Sequence, residues 1–555
     1  MKEKLTIFSV LFVLLMQFSL SAQVADTVVV PTEDSQGQAG AMARFILGDT
    51  TATGERVNIN RVYKLQRGGI YLLQGQLYCE DFPLTLIADD DDATQPPVIA
   101  PFPLADGSIP RITIIVYKDA YFKNLYIQGC APNDMRNSAD RPISISAVDN
   151  IKLTMENCIV EGFKAAGVYN SATHASIYIK DCLWRNNNWT GVFTGQFFFN
   201  SATATLDTVS IVNNTFFCGS SYFLCTNRTF AKYVQFEHNT LFINHTNPFY
   251  SPYLSNADIK NNIFFCPAAV GETATEREGG YYDWNGEHLA VFSIDTIPTD
   301  LATNNGITDE NRRINFSNNA YFWPQVLKDY WAANDTVDAP MWMNDRTANF
   351  FGNDSRYPNL TDENNVEVDP GFNSSVMSMV DSVMAYVQLF RKQGSAKAYF
   401  YNPQGGSIFP CRWPIPEDLS YTNTTLQSAG SDGFALGDLN WFPDQKELWL
   451  VTGVKNEEPG VIPSDFTLSN AYPNPFNPET NIKFALAKSA KVKLTIYNIL
   501  GQKVKELVNS ELNAGSYSTK WDGTDNLGFK VASGIYLYRL DSDSFTATKK
   551  LILMK

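Results

Sequence analysis

Three phrases decide how the middle of this chain is read: IVNNTFF at 211–217, FEHNTLF at 236–242 and IKNNIFF at 259–265. Each sets a bulky residue, a spacer, two polar groups, another spacer and two more bulky residues. The first polar positions, Asn213, His238 and Asn261, lie 25 and 23 residues apart. Looser copies are YIQGCA at 126–131, TMENCIV at 154–160, YIKDCLW at 178–184 and NFSNNAYF at 315–322. A period in the low twenties with short alternating strands and Asn-rich corners predicts a parallel β-helix. Its coils stack at about 4.8 Å, so equivalent side chains lie above one another.

That stacking explains the doublet. The second polar position reads Cys130, Cys158, Cys182, Asn214, Asn239, Asn262, Asn319, one inward column in which small buried thiols pass into an asparagine ladder. Four residues on, Cys218, Ile243, Cys266 and Trp323 form a second column. Packing thus accounts for most of the eight cysteines as free thiols, and a Cys158–Cys182 bridge is the sterically allowed alternative. The outward spacer reads Gln128, Glu156, Lys180, Val212, Glu237, Lys260, Ser317, which stacks Glu156 on Lys180 and Glu237 on Lys260 as cross-coil ion pairs.

Working outward, 60–125 reads as the first coils, and 267–313 and 324–365 read as polar loops projecting from later ones. SSVMSMVDSVMAYVQLFRKQ at 374–393 has helical spacing and is expected to cap or flank the open end. The N-terminus pairs Lys2 and Lys4 with an apolar run from Leu5 and small residues to Ala22, the pattern of a signal peptide over 1–22. A formal net charge of −15 argues against a nucleic-acid partner, and four histidines with no i, i+4 pair argue against zinc chemistry. The expected domains are the signal peptide, an N-terminal segment at 23–54, a β-helix at 55–445 with loop insertions and a helical cap, a linker at 446–465 and a small sandwich at 466–555.

The last 90 residues change style, with alternating strands VKLTIYN and GIYLYRL between Gly, Asn and Asp turns. YPNPFNPET (472–480), IYNILGQKV (496–504), WDGTDNLG (521–528), SGIYLYRL (533–540) and KKLILMK (549–555) occur in that order. Together they closely resemble the type A sorting domain of the type IX secretion system of Bacteroidota and their relatives. Its motif positions here are Tyr472, Pro473, Asn474, Pro475, Phe476, Asn477, Pro478, Trp521, Asp522, Gly523, Gly534, Tyr536, Lys549 and Lys550. The resemblance implies an all-β chain ending in an Ig-like sandwich, export through the outer membrane by that machinery, removal of the domain by its sortase, and release or attachment to the outer-membrane surface. The central region resembles the pectate-lyase-like right-handed parallel β-helix superfamily, which confers no activity by itself.

A lyase of that superfamily needs acidic ligands for Ca²⁺ and a basic residue to abstract a proton; a hydrolase needs paired carboxylates. Glu161, Lys164 and Arg185 lie on adjacent coils and are candidates for a mixed acid–base patch, with His238 at a corner as a further candidate. The run Asp89, Asp90, Asp91, Asp92 is the candidate Ca²⁺ site, although such runs are usually solvated turns. Aromatic residues cluster between strands, and Trp189, Phe193, Tyr222 and Tyr250 are candidate sugar contacts. Three functions therefore stand open: a secreted or surface-attached protein interacting with polysaccharide, a polysaccharide lyase or glycoside hydrolase, and a non-catalytic structural or adhesion protein.

Overall fold

The computed structural model describes residues 26–554, apart from 33–38, 92, 133–138, 188–194, 228, 284, 398, 404, 406–408, 410–412, 453–454, 457–462, 478, 489, 513–514, 527–528 and 543–544. The expected signal peptide, Asp92, Trp189, Phe193 and Pro478 lie outside the described residues. The chain forms two compact units, up to Trp441 and from Phe442 onward.

The first unit is a parallel β-helix. Short strands follow one another around three sheets of eleven, ten and seven strands, and each strand pairs with its equivalent one coil away. In the first sheet Thr208↔Tyr233, Ser210↔Gln235 and Val212↔Glu237 pair in parallel, and Glu237↔Lys260 continues the row. The corner from the first sheet to the second is made by Asn124, Asn157, Asp181, Asn213, His238, Asn261, Asn318 and Asn364, all with φ between 49° and 60°. Asn and Asp tolerate this left-handed conformation better than other side chains, which is why the first polar position is nearly always one of them.

The residue after each corner turns inward and builds the ladder. The backbone N–H groups of Cys182, Asn214, Asn239, Asn262 and Asn319 donate to the Oδ1 atoms of Asn214, Asn239, Asn262, Asn319 and Asn365 at 2.8–3.1 Å. Each amide also donates onward, as Asn239 Nδ2 does to Ile211 O at 2.9 Å, so every buried polar atom of the ladder is used. The seven described cysteines are free and buried, and the Cys158 N–H donates to Cys182 Sγ at 3.4 Å.

Two sequence expectations are corrected here. Tyr126 pairs with Ile159 and Gln128 with Glu161, so Cys130 does not stack on Cys158; Leu125 occupies that column after the corner residue Asn124. Gln128 likewise leaves the outward row, and Lys123 takes its place beside Glu156. The earliest copy was shifted because its corner doublet, Asn-Leu, lacks the second polar residue.

The insertions are more ordered than loops. Ala290–Phe292 pairs with Met341–Met343, and Phe292 stacks on Phe316 at 4.2 Å. Trp342 lies 4.9 Å from Phe316 and 4.2 Å from Tyr321, so aromatic rings from the insertions close the interior of the last coils. The helix Ser374–Gln393 forms as expected but flanks the coils: Tyr386 stacks on His245 at 3.9 Å, and Arg391 donates to the Val270 carbonyl at 2.8 Å.

The second unit is a sandwich of two antiparallel four-stranded sheets. Trp521 is fully buried at its centre, 5.4 Å from Phe476 and 5.0 Å from Tyr536, and its indole N–H donates to the Thr524 carbonyl. Asn474 fastens the start of the unit to its last strand, donating to the Lys550 carbonyl and accepting from the Ile552 N–H. Lys549 donates to Asn470 Oδ1, and Lys505 pairs with Asp522 at 3.0 Å. Of the motif residues, Phe476, Trp521 and Tyr536 thus belong to the core of this unit, and Asn474 and Lys549 fasten its first segment to its last strand.

Candidate functional site

The three outer faces of the β-helix differ in what covers them. On the second sheet one column runs Gln128, Glu161, Arg185, Phe217, Phe242, Phe265, Phe322 by strand register. The segment from Phe372 to Trp441 returns along this face. Phe372 packs on Phe242 and Phe265, and Tyr401 packs on Phe217. Further along, Ser431 donates to Asn261, Leu439 to Asn213, and Trp441 to Thr215. Thr215 in turn donates to Asp438 at 2.6 Å.

Under this cover lie the acid and base that the sequence singles out. Arg185 Nη1 meets Glu161 Oε1 at 2.5 Å, and Arg185 Nη2 meets Glu417 Oε2 at 2.9 Å. All three residues are buried, the Tyr126 hydroxyl donates to Glu161, and Asn186 Nδ2 donates to Glu161 at 2.7 Å. Burial opposes the charge on Arg185, but the two carboxylates outweigh it and hold its pKa well above the ordinary value. For Glu417 burial outweighs Arg185 and raises the carboxyl. Lys164 does not join them; it pairs with Asp140 at 3.0 Å, an acid that Arg111 also engages. The mixed patch expected from Glu161, Lys164 and Arg185 is therefore divided.

The first sheet presents a polar face on which several charges are paired. Lys260 meets Glu237 at 3.2 Å, and Arg313 grips Asp258 with two N–H groups at 3.0 and 3.1 Å. The Tyr233 hydroxyl donates to the same Asp258. Asp89 pairs with Lys64 at 2.6 Å, Asp90 with Lys123 at 2.8 Å, and Asp91 accepts from the Ala93 N–H. Among the described residues, groups of three convergent metal donors lie elsewhere: Glu237, His238, Asp432 and Glu272, His288, Asp338. Both already hold cations. Lys260 sits on Glu237, and Arg277 reaches Glu272 at 3.4 Å, His288 at 2.8 Å and Asp338 at 2.7 Å. His238 is a buried corner residue whose Nε2 meets Asp432 Oδ2 at 2.8 Å. Burial would raise Asp432, but the bond to His238 and its charge leave the carboxyl below its usual value.

The third sheet carries a different column: Tyr78, Ile115, Ser144, Tyr169, Phe199, Cys225, Tyr250. Tyr78 is 39% exposed, and Ile115, Tyr169 and Phe199 are half-buried. Tyr169 and Phe199 stack at 5.3 Å, and Tyr117 lies 5.0 Å from Tyr78. The Arg141 guanidinium lies over the Tyr169 ring at 3.6 Å. At the far end Tyr222 and Tyr250 are buried against each other at 5.0 Å, beside Cys225 and Phe199, so their rings face protein. Of the accessible rings on this face, Phe199 lies within the aromatic stretch at 189–200, and Tyr78 and Tyr169 lie outside the clusters read in the sequence. Tyr78, Tyr169 and Arg141 escaped that reading because the column is spread over coils of unequal length; the strand alternation in AGVYN and QFFFN is the one local signal.

A family model for the secretion system C-terminal sorting domain matches residues 470–554. No match is found among curated proteins. The chain is similar to the solved structure of dimeric latent PorU from Porphyromonas gingivalis, at 23% identity over 17% of this chain and 10% of that one, with a TM-score of 0.14. It is similar to PorZ, a surface component of the type IX secretion system of the same organism, at 16% identity over 17% and 12% of the two chains, with a TM-score of 0.13. A PL6 family alginate lyase, AlyGC, matches at 15% identity over 43% and 28%, with a TM-score of 0.24. The chain spans 28% or less of the length of each of these structures. The sorting domain at 470–554 implies interaction with the type IX secretion machinery and export to the cell surface or the extracellular space.

Proposed function

We propose that this exported protein binds polysaccharide along the outer face of the third sheet, without catalysis of its own. The reading is supported above all by the accessible rings at Tyr78, Tyr169 and Phe199 in one outward column, with Tyr169 and Phe199 on successive coils and Tyr78 three coils from Tyr169; among the described residues the ring contacts made by the segment after Phe372 fall on the second sheet instead. The apolar faces of sugar rings stack on aromatic rings, and a coil spacing of about 4.8 Å repeats such contacts along an extended glycan. Catalysis is disfavoured because Glu161, Arg185 and Glu417 form a buried ion cluster under the returning segment and present no accessible acid or base. The sorting domain is taken to be removed by the sortase of the secretion system after passage.

The test is a titration of the purified full chain against plant, algal and bacterial polysaccharides, with and without Ca²⁺, while reducing ends and unsaturated products are followed. Binding without product, weakened roughly fivefold to tenfold by Tyr169→Ala, is the expected result. Turnover would replace this reading with the lyase or hydrolase, and absence of binding to every polymer would leave the structural or adhesion role.

A further inference from the structure

The third-sheet face has an unusual charge balance. Three cations, Arg111, Arg141 and Lys164, surround one acid, Asp140, in a chain whose formal net charge is −15. Asp140 is buried and is engaged by both Arg111 and Lys164, at 3.0 Å for Lys164. Among the described residues around Asp140, three positive charges against one negative leave a local excess of two. Among the described residues no carboxylate pairs with Arg141, whose close partner is Tyr169. Stacking on that ring occupies the face of the guanidinium and leaves its in-plane N–H donors, a fork that matches a carboxylate or sulfate. Burial pulls the Arg141 pKa below its ordinary value, a cost that a bound anion would offset.

We propose that the glycan taken on this face is anionic, with Arg141 holding the carboxylate or sulfate of a sugar that lies against the outer edges of the stacked Tyr169 and Phe199 rings. This inference rests on the glycan-binding reading. The other exposed faces fit such a ligand less well, because the cations Lys64, Lys123, Lys260 and Arg313 of the first sheet already meet carboxylates. A guanidinium bonded to an anionic oxygen also gives directional selectivity that a ring stack alone does not.

The full chain would be titrated with four polymers: polygalacturonate, its methyl ester, dextran sulfate and dextran. Charged members are expected to bind more tightly than their neutral counterparts, with an affinity that falls as salt rises. Arg141→Ala is expected to weaken the charged members about tenfold, well beyond any change in the neutral ones, and Arg141→Lys to recover part of the loss. Preference for polygalacturonate alone assigns a carboxylate, and preference for dextran sulfate alone assigns a sulfate; either bears the proposal out. Equal binding of the charged and neutral forms, with Arg141→Ala without effect, overturns the anionic ligand but leaves glycan binding standing. Failure of all four, together with the wider panel, removes the glycan reading itself. The ester comparison needs no variant, so a substitution that fails to fold cannot obscure the result.

Discussion

The outer columns of the second and third sheets are both rich in aromatic rings, yet they meet different surroundings. Phe217, Phe242 and Phe265 stack one above another on the second sheet at 5.1 and 4.9 Å, and Phe372 and Tyr401 lie across them. Tyr169 and Phe199 stack in the same manner on the third sheet but remain half-buried, with a guanidinium as neighbour. The same repeat geometry thus makes a packing surface in one place and an accessible strip in the other. What separates them is the segment after Phe372, which supplies Glu417 to Arg185 and its own rings to the phenylalanine stack.

The largest effect is expected where the cover meets charge. Arg185→Ala leaves Glu161 and Glu417 buried without their cation, and denaturant unfolding should show a loss of about 3–5 kcal/mol. A much smaller loss would mean that the second-sheet face is open to water and that the contrast between the faces is false. Next is the ladder at the corner between the first and second sheets. Asn239→Ala removes the acceptor for the Asn214 N–H and the donor to Ile211 O, and should cost about 1–3 kcal/mol by the same measurement. Phe199→Ala sharpens the contrast differently: calorimetric titration should show polysaccharide affinity reduced roughly threefold to tenfold, with glycan binding lost before the fold is.

The smallest effect concerns the edge of the cover. The bond to His238 holds Asp432 below its usual 3.8, so this pair contributes stability at higher pH that is lost as pH falls through the folded value. Asp432→Asn should therefore destabilise by a few tenths of a kcal/mol near neutral pH. The gap between wild type and variant should close in melts taken below the ordinary carboxylate range.

These expectations also mark how far the sequence could be read. The asparagine ladder was legible because Asn213, His238 and Asn261 are nearly evenly spaced and their doublets are intact. The register failed at Cys130 because Leu125 breaks the doublet there. The sandwich was legible because Trp521, Phe476 and the terminal lysines belong to one short, ordered set of motifs. The cover over the second sheet was not, because Glu417 meets Arg185 across 232 residues with no periodic pattern to announce it. Glu161 and Arg185 therefore looked like an exposed acid and base when they form a buried pair. The accessible column was hidden for a related reason: Tyr78, Ile115, Ser144, Tyr169 and Phe199 are separated by loops of different lengths, so no window of sequence contains the strip.

The measurement that tests the central claim most directly is a paired comparison of Tyr169→Ala on the third sheet and Tyr233→Ala on the first, each titrated as the full chain with the same polysaccharide. The account predicts roughly fivefold to tenfold weaker binding for Tyr169→Ala and wild-type affinity for Tyr233→Ala. Wild-type affinity for Tyr169→Ala, or a loss confined to Tyr233→Ala, would contradict it and move the binding face to the first sheet.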